Sequence, residues 1–429
     1  MEVESINMAR NFDDGLYSVG PRWTATSIYS IDDGGMPTNS TVEPMNETCG
    51  DLLYLGKQAE YKVPIYGYLS PIVVLFTVIT NVLICVILLR RHMRTPTNVL
   101  LVFMALSDLF TGLFPLPFLL YVYTAGRYVD YLPFDTCWMY KYLFEIIPTI
   151  FHTASIWLTV ALACQRYVYI CHSTRAREWC TIPNVIKATC IIYILSILSQ
   201  LSRCLDTDIT ACEVPSLVNP NETITTCFEQ LTPLIEANQN LYYNIFFWYR
   251  VVVIHAIPCV TLVVMNALLV RALRRARRRR ERLLQQNRKS EWKKIHESNC
   301  TTLMLIAVVG VFLVVEVPMA ISFILYIVQN TFELLILTDD TQQSISMIIN
   351  FFILLSYPLN FFIYCAMSRQ FRETFKQVVL RRPADLKKDS TKYTTLPTTV
   401  NIENTVVKNG NGVSGDDYTG PQCNEESKV

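Results

Sequence analysis

Seven stretches of this chain are each long and apolar enough to cross a bilayer, and that feature removes most folds from consideration. A helix needs about 20 mostly apolar residues to span the hydrocarbon core. The stretches lie at Tyr66–Leu89, Asn98–Tyr123, Thr136–Ile170, Asn184–Cys204, Leu241–Ala272, Asn299–Val328 and Thr341–Met367. Half of the 429 residues are hydrophobic and only 17% are charged, a balance too apolar for an ordinary soluble protein. The expected fold is therefore all-α: a bundle of seven transmembrane helices over residues 66–367.

The charges are sorted along the chain, and the sorting predicts an orientation. Arg90, Arg91 and Arg94 follow the first span, Arg175 and Arg177 the third, and Arg271 to Lys294 is dominated by Arg and Lys. The N-terminal arm leans acidic, with Asp13, Asp14, Asp32, Asp33, Glu43, Glu47 and Asp51. Positive charge marks the cytoplasmic side, so the N-terminus is expected outside and the C-terminus inside. Sequons at Asn39, Asn46 and Asn221 all fall on the predicted outer face and read as glycosylation sites, whereas Asn299-Cys300-Thr301 falls on the inner face and reads as chance. No cleavable leader is visible, and the first span is expected to act as the anchor.

Residues 1–65 read as an extracellular glycosylated arm and 381–429 as a disordered cytoplasmic tail. Between bundle and tail, residues 368–380 place Phe371, Phe375, Val378 and Val379 opposite Arg372 and Lys376. That is a short amphipathic helix suited to a membrane surface. Of 14 cysteines, Cys85, Cys164, Cys190, Cys259, Cys300 and Cys365 lie in predicted helices, where a thiol is a small apolar side chain. Cys49, Cys137, Cys212, Cys227 and Cys204 are the ones placed to meet an oxidising compartment.

Polar residues inside spans cost about 2.5–3.5 kcal/mol each on insertion scales, so each is a functional candidate. Asp108 lies mid-span, with Asn81, Ser155 and Asn360 at matching depths; the four read either as a cluster holding sodium or water or as a hydrogen-bonded packing node. In the third span Glu145, Pro148, His152, Ser155, Thr159 and Arg166 share one helical face, a stripe that faces the bundle interior rather than lipid.

The motifs then accumulate in order. Asn81, Leu106-Ser107-Asp108-Leu109, Cys137, Gln165-Arg166-Tyr167, Pro258, Phe312 with Pro318, and Asn360-Phe361-Phe362-Ile363-Tyr364 resemble the signature of rhodopsin-like (class A) G protein-coupled receptors over roughly residues 66–380. More narrowly, Gln165 to His172 with Trp179, and Val315-Glu316-Val317-Pro318, are similar to the insect sex peptide and myoinhibitory peptide receptor family. The resemblance implies that Arg166, Gln165, Tyr167, Asp108, Asn81, Asn360 and Tyr364 serve activation and G protein coupling. It implies a bridge from Cys137 to Cys227, with Cys212 the rival and Cys49 pairing with whichever outer cysteine remains. Four departures stand beside it. Gln165 replaces the acid that usually pairs with the Arg, removing a restraint of about 1–3 kcal/mol and predicting higher basal signalling. Glu316 stands where a Trp switch is usual. Phe361 replaces a Pro, with Pro358 one turn earlier, and the fourth span lacks its customary Trp.

Amine receptors of this family carry an Asp eighteen positions before the helix 3 Arg; here that position is Pro148, and the seventh span has no retinal-type Lys. Glu145, His152, Arg250 and Glu316 are left to line a polar mouth under the long loop Asp206–Gln239, which reads as a hairpin around Asn219-Pro220-Asn221-Glu222. Tyr243 and Trp138 are the expected aromatic contacts, and mutual neutralisation of Arg250, Glu316 and His152 in the core is the bland alternative. The family implies agonists that are amidated peptides with two spaced tryptophans, or a seminal sex peptide, and coupling to Gi/o. The basic run Arg271–Arg280 suits either a G protein cleft or anionic lipid. Ser390, Thr391, Thr394, Thr395, Thr398 and Thr399 suit phosphorylation and arrestin, and the C-terminal Ser427-Lys428-Val429 resembles a PDZ ligand. No cofactor, structural metal or nucleic-acid partner is expected. A transporter or channel would call for internal repeats or interrupted helices, and a membrane enzyme for an HExxH, GxSxG or Cys-x-x-Cys motif; none is found.

Overall fold

Each apolar block becomes a helix. The computed structural model describes residues 52, 54–285, 289–332 and 336–379. Its membrane-length helices are α1 (Ala59–Leu88), α2 (Pro96–Thr124), α3 (Phe134–Cys171), α4 (Ile182–Leu205), α5 (Leu241–Arg275), α6 (Thr302–Gln329) and α7 (Asp340–Met367). The short α8 (Arg369–Val379) follows α7. Helical backbone continues beyond two spans, from α5 to Gln285 and from Lys289 into α6, so the basic run Arg271–Arg280 is helical. Asn39, Asn46, Cys49 and the Ser/Thr-rich tail lie outside the described residues.

Local chemistry sets the ends. Thr95 caps α2, accepting the Asn98 N–H at 3.2 Å, with Pro96 in the first turn where no N–H is needed. Helix α1 starts at Ala59, not at Tyr66 as hydropathy placed it, so the last residues of the expected arm are helical. Charged Glu60 and Lys62 hide that turn from a hydropathy window, while Lys57 holds it to α7 through Asp340 at 3.3 Å. At the other end Phe371 is buried, Phe375 and Val378 half-buried and Val379 exposed. Arg372 of α8 donates to the carbonyls of Cys365 and Ala366 at 3.0 and 2.7 Å, satisfying the C-terminus of α7.

Between α4 and α5 the chain forms an antiparallel hairpin, β1 (Thr207–Pro215) and β2 (Thr223–Leu231), in the register Thr207↔Leu231 to Pro215↔Thr223. The Cys137–Cys227 disulfide ties β2 to the start of α3. Cys212 is disulfide-bonded as well. Thr226 Oγ1 donates to the Leu132 carbonyl at 2.8 Å, and Lys141 Nζ donates to the Thr207 carbonyl and hydroxyl at 2.7 and 2.8 Å. Single bridges add Leu52 to Phe228 and Tyr54 to Tyr131. The hairpin tip is held by Asp130 in the α2–α3 loop, which accepts from Ser216 Oγ at 2.5 Å and from the Leu217 N–H at 2.9 Å. Partial burial pulls the Asp130 carboxyl up, but Ser216 and the N–H groups of Leu217, Tyr131 and Val218 outweigh it and hold it below the usual carboxylate value.

Four helices widen into π-helical turns near the hairpin end of the bundle: Val63–Leu69, Leu120–Thr124, Met139–Ile146 and Arg250–Ala256. Such turns bond i to i+5, which rotates the following side chains and recurs at functional sites.

Because the folded-state pKa of Asp130 is depressed, its hold on the hairpin is complete above the unfolded carboxylate pKa and is lost as pH falls through the lower folded value. Asp130→Ala is expected to speed amide exchange at Leu217 and Val218 at neutral pH. The wild type should approach the variant only under strong acid, as read by hydrogen-exchange mass spectrometry over residues 215–222.

Candidate functional site

A cavity of about 850 Å³, its mouth included, opens among α1, α2, α3, α5, α6 and α7 at the level of the π-helical turns. Its walls are apolar and aromatic, with Tyr66, Phe144, Met319, Phe323, Phe351 and Leu354 prominent. Among the described residues, polar groups enter as His152, Arg250, His255, Asn350, Tyr357 and a few hydroxyls, and no Asp or Glu lines it. That proportion suits a mostly apolar ligand oriented by few polar contacts.

The charge beneath is Glu316, 1% exposed, placed by α6 between two imidazoles. His152 Nε2 lies 3.3 Å from one carboxylate oxygen and His255 Nδ1 3.4 Å from the other. Both distances exceed a well-made N–H···O bond, so attraction between charge and dipole carries the contact. A carboxylate only accepts, so the ring nitrogens facing it carry hydrogens. His152 Nδ1 and the Tyr357 hydroxyl are hydrogen-bonded at 2.9 Å, which links α3, α6 and α7. Arg250 does not complete this cluster by hydrogen bonding to Glu316; its guanidinium sits over the Phe323 ring, 4.9 Å from the centroid. His255 was missed in the sequence because α5 has no polar stripe to announce it.

The remaining predicted ligand contacts lie elsewhere. Glu145 is not among the residues lining the cavity; it faces Arg203 of α4 at 3.4 Å, and Arg203 also pairs with Asp206 at the root of the hairpin. Tyr243 is fully buried between α5 and α6 among Phe246, Phe247, Val251 and Tyr326. Trp138 is half-exposed and stacks on Tyr142 at 5.8 Å. A helical face placed Glu145 toward the bundle interior, but the depth and neighbours of all three depend on how helices pair.

Deeper in the bundle, Asp108 accepts from Ser155 Oγ at 2.6 Å and from Asn360 Nδ2 at 3.1 Å, beside a second space of about 310 Å³. Tyr357 lines both spaces. Asn81 does not join the node; its amide donates to the Thr77 carbonyl of its own helix at 3.0 Å. Among the described residues no group of three or more His, Cys, Asp or Glu is arranged to hold a metal ion.

At the end that carries α8, Gln165 is buried with neither its amide oxygen nor its nitrogen hydrogen-bonded among the described residues. Arg166 makes no ion pair with a described carboxylate, and its Nε is buried without an acceptor among the described residues. The Tyr167 ring meets His172 at 6.0 Å, and Tyr364 packs against Phe371 of α8 at 5.7 Å.

The family described as serpentine type 7TM GPCR chemoreceptor Srw matches residues 68–382. The chain is 42% identical over 358 residues to the sex peptide receptor of Drosophila melanogaster, covering 83% of this chain and 80% of that one. It is 36% identical over 364 residues to sex peptide receptor-related protein 2 of Caenorhabditis elegans, covering 79% and 81%. With neuromedin-U receptor 1 of Rattus norvegicus it shares 26% over 371 residues, 83% of each chain.

Truncating Arg203 to Ala would leave Glu145 and Asp206 buried without their cation, a change worth about 3–5 kcal/mol where a buried pair is broken. A clear drop in the thermal midpoint of the detergent-solubilised protein is expected. Glu145→Gln, which keeps a hydrogen-bond acceptor, should cost less.

Proposed function

The chain belongs to the serpentine seven-transmembrane G protein-coupled receptors, and we propose that within this family it is a multi-pass plasma membrane receptor for neuropeptides. Its agonists are amidated peptides of the myoinhibitory type, with two spaced tryptophans, and sex peptide. The observation that carries the reading is the cavity of about 850 Å³, its mouth included, walled by aromatic and apolar side chains around a few polar groups. Indole rings fit such walls by area and by edge or face contact with Tyr66, Phe144, Phe323 and Phe351. Among the described residues no carboxylate lines the cavity to pair with a small ammonium ligand. The names of the relatives, receptors for sex peptide, FMRFamide and neuromedin U, point the same way.

In this reading the hairpin and the N-terminal arm are extracellular, with Asn39, Asn46 and Asn221 glycosylated; Asn221 is exposed at the hairpin tip. Agonist in the cavity shifts an existing equilibrium toward a conformation whose inner face accepts the G protein, and the G protein reciprocally tightens agonist binding. His152 and Tyr357 connect the cavity to the Asp108 node, and Arg166, Tyr167 and Tyr364 stand at the inner end. The transducer is a Gi/o protein, received beside the basic helical extension Arg271–Arg280. Arrestin engages the phosphorylated tail around Ser390 to Thr399.

The reading is tested by nucleotide exchange on Gi/o in membranes carrying the full chain, challenged with an amidated peptide bearing two spaced tryptophans. A saturable response that disappears in Cys137→Ser and Arg166→Ala is expected. No response despite surface expression, with activation by an unrelated neuropeptide, would sink the agonist assignment. Restoring the acid with Gln165→Glu supplies Arg166 with a partner and should lower agonist-free exchange severalfold, since a charged hydrogen bond contributes about 1.5–3 kcal/mol. Unchanged basal exchange would show that Arg166 does not set the resting state.

A further inference from the structure

Arg250 and His255 are five residues apart on α5. On a straight α-helix of 3.6 residues per turn that spacing points two side chains roughly 140° apart. Here both lie within the π-helical turn Arg250–Ala256, whose i to i+5 bonding widens the turn. Both side chains consequently reach the same cavity and the same aromatic ring. The Arg250 guanidinium lies 4.9 Å from the Phe323 centroid, and the His255 imidazole ring lies 5.2 Å from it.

Their hydrogen-bonding characters are opposite. A guanidinium offers five N–H donors and no acceptor, so it can keep its existing neighbours and still donate to a ligand oxygen. His255 is 3% exposed, with Nδ1 toward Glu316. A carboxylate facing Nδ1 holds the hydrogen there and leaves Nε2 as the lone-pair acceptor. Nε2 is buried and has no hydrogen-bond partner among the described residues. A buried acceptor left unmade is costly, and a ligand N–H relieves it.

We infer that Arg250 and His255 form a donor–acceptor pair that reads the polar terminus of the peptide, so that the cavity takes a primary carboxamide in preference to a carboxylate or an ammonium. The inference rests on the peptide-receptor reading and adds the residues that would discriminate. A carboxamide presents an oxygen to Arg250 and an N–H to His255 Nε2. A carboxylate satisfies Arg250 but sets an oxygen against the His255 lone pair. An ammonium could donate to His255 but meets a fixed positive charge at Arg250. Discrimination by a site built for a hydrogen bond is larger than discrimination by shape, because the mismatched ligand leaves a buried polar group unpaired.

The test uses the full-length receptor at the cell surface and one two-tryptophan peptide in two forms, C-terminal carboxamide and free acid. The wild type should respond to the amide at a concentration at least about tenfold lower than to the acid. His255→Phe keeps an aromatic ring against Phe323 but removes the acceptor; it should weaken the amide about tenfold, leave the acid little changed, and so abolish the preference. Arg250→Gln should weaken both forms, while Arg250→Lys, which keeps a donor and a charge, should retain the preference at reduced potency. If Arg250→Gln fails to reach the surface, the Lys variant decides. Equal wild-type potency for amide and acid would overturn the pairing while leaving the peptide receptor standing, and so would wild-type behaviour in His255→Phe. Silence of the wild type toward both forms would instead remove the peptide reading on which the pairing rests.

Discussion

A charge inside a bilayer has to find its partner within the protein, and the arrangement of this receptor follows from how the buried Glu316 and Asp108 and the half-buried Glu145 meet that requirement. Glu316 draws imidazoles from α3 and α5. Asp108 draws a hydroxyl from α3 and an amide from α7. Glu145 draws the guanidinium of Arg203 from α4. Each solution crosses helices, so each fixes how two or three helices are rotated against one another. Apolar surface alone could not do this in lipid, where the surrounding tails are as apolar as the helices. Helix α3 contributes to all three, and the functional stripe read along it is also the axis about which the bundle is keyed.

The same accounting shapes the cavity. Because His152 and His255 cover Glu316, the carboxylate is withdrawn from the lining, and the polar character left facing the ligand comes from Arg250, the imidazoles and neutral groups. Three of the four π-helical turns supply Tyr66, Phe144, Arg250 and His255 to the walls. The hairpin is held along its length, by the Cys137–Cys227 bridge, by Thr226 at Leu132, by Lys141 at Thr207, and by Asp130 at the tip. Glu145, expected in the cavity, instead braces the root of the hairpin. Its partner Arg203 joins it to Asp206, where α4 gives way to the first strand.

The opposite end is held more loosely. Gln165 replaces the acid that would hold Arg166, and both side chains keep buried polar atoms without partners among the described residues. Unsatisfied polar groups are the places where a second conformation loses least by forming. Helix α8 is better tied, through Phe371 against Tyr364 and through His92 Nε2 and Thr374 Oγ1 at 2.9 Å. The contrast puts the conformational freedom of this end of the bundle at α3 rather than at α8.

Hydropathy located all seven spans, and the order of short motifs pointed to the receptor family, because both signals are carried by runs of neighbouring residues. The hairpin was legible for the same reason: Cys212-Glu213-Val214 and Thr225-Thr226-Cys227-Phe228 flank a turn-forming Asn219-Pro220-Asn221-Glu222. Residue type along one helix also put His152, Glu145 and Arg166 on an inward face. Which of them meets the cavity was decided by partners from other helices, Arg203 for Glu145 and Glu316 with Tyr357 for His152. His255 was visible only as a polar residue inside the fifth span, because its position beside Arg250 depends on a backbone turn that shifts the helical period. By itself the sequence determined the membrane, the number of spans and the family, since those depend on local composition and order. Only the tertiary structure decided which buried charges are spent on one another and which polar groups remain for a ligand, because electrostatic pairing acts between segments far apart in the chain.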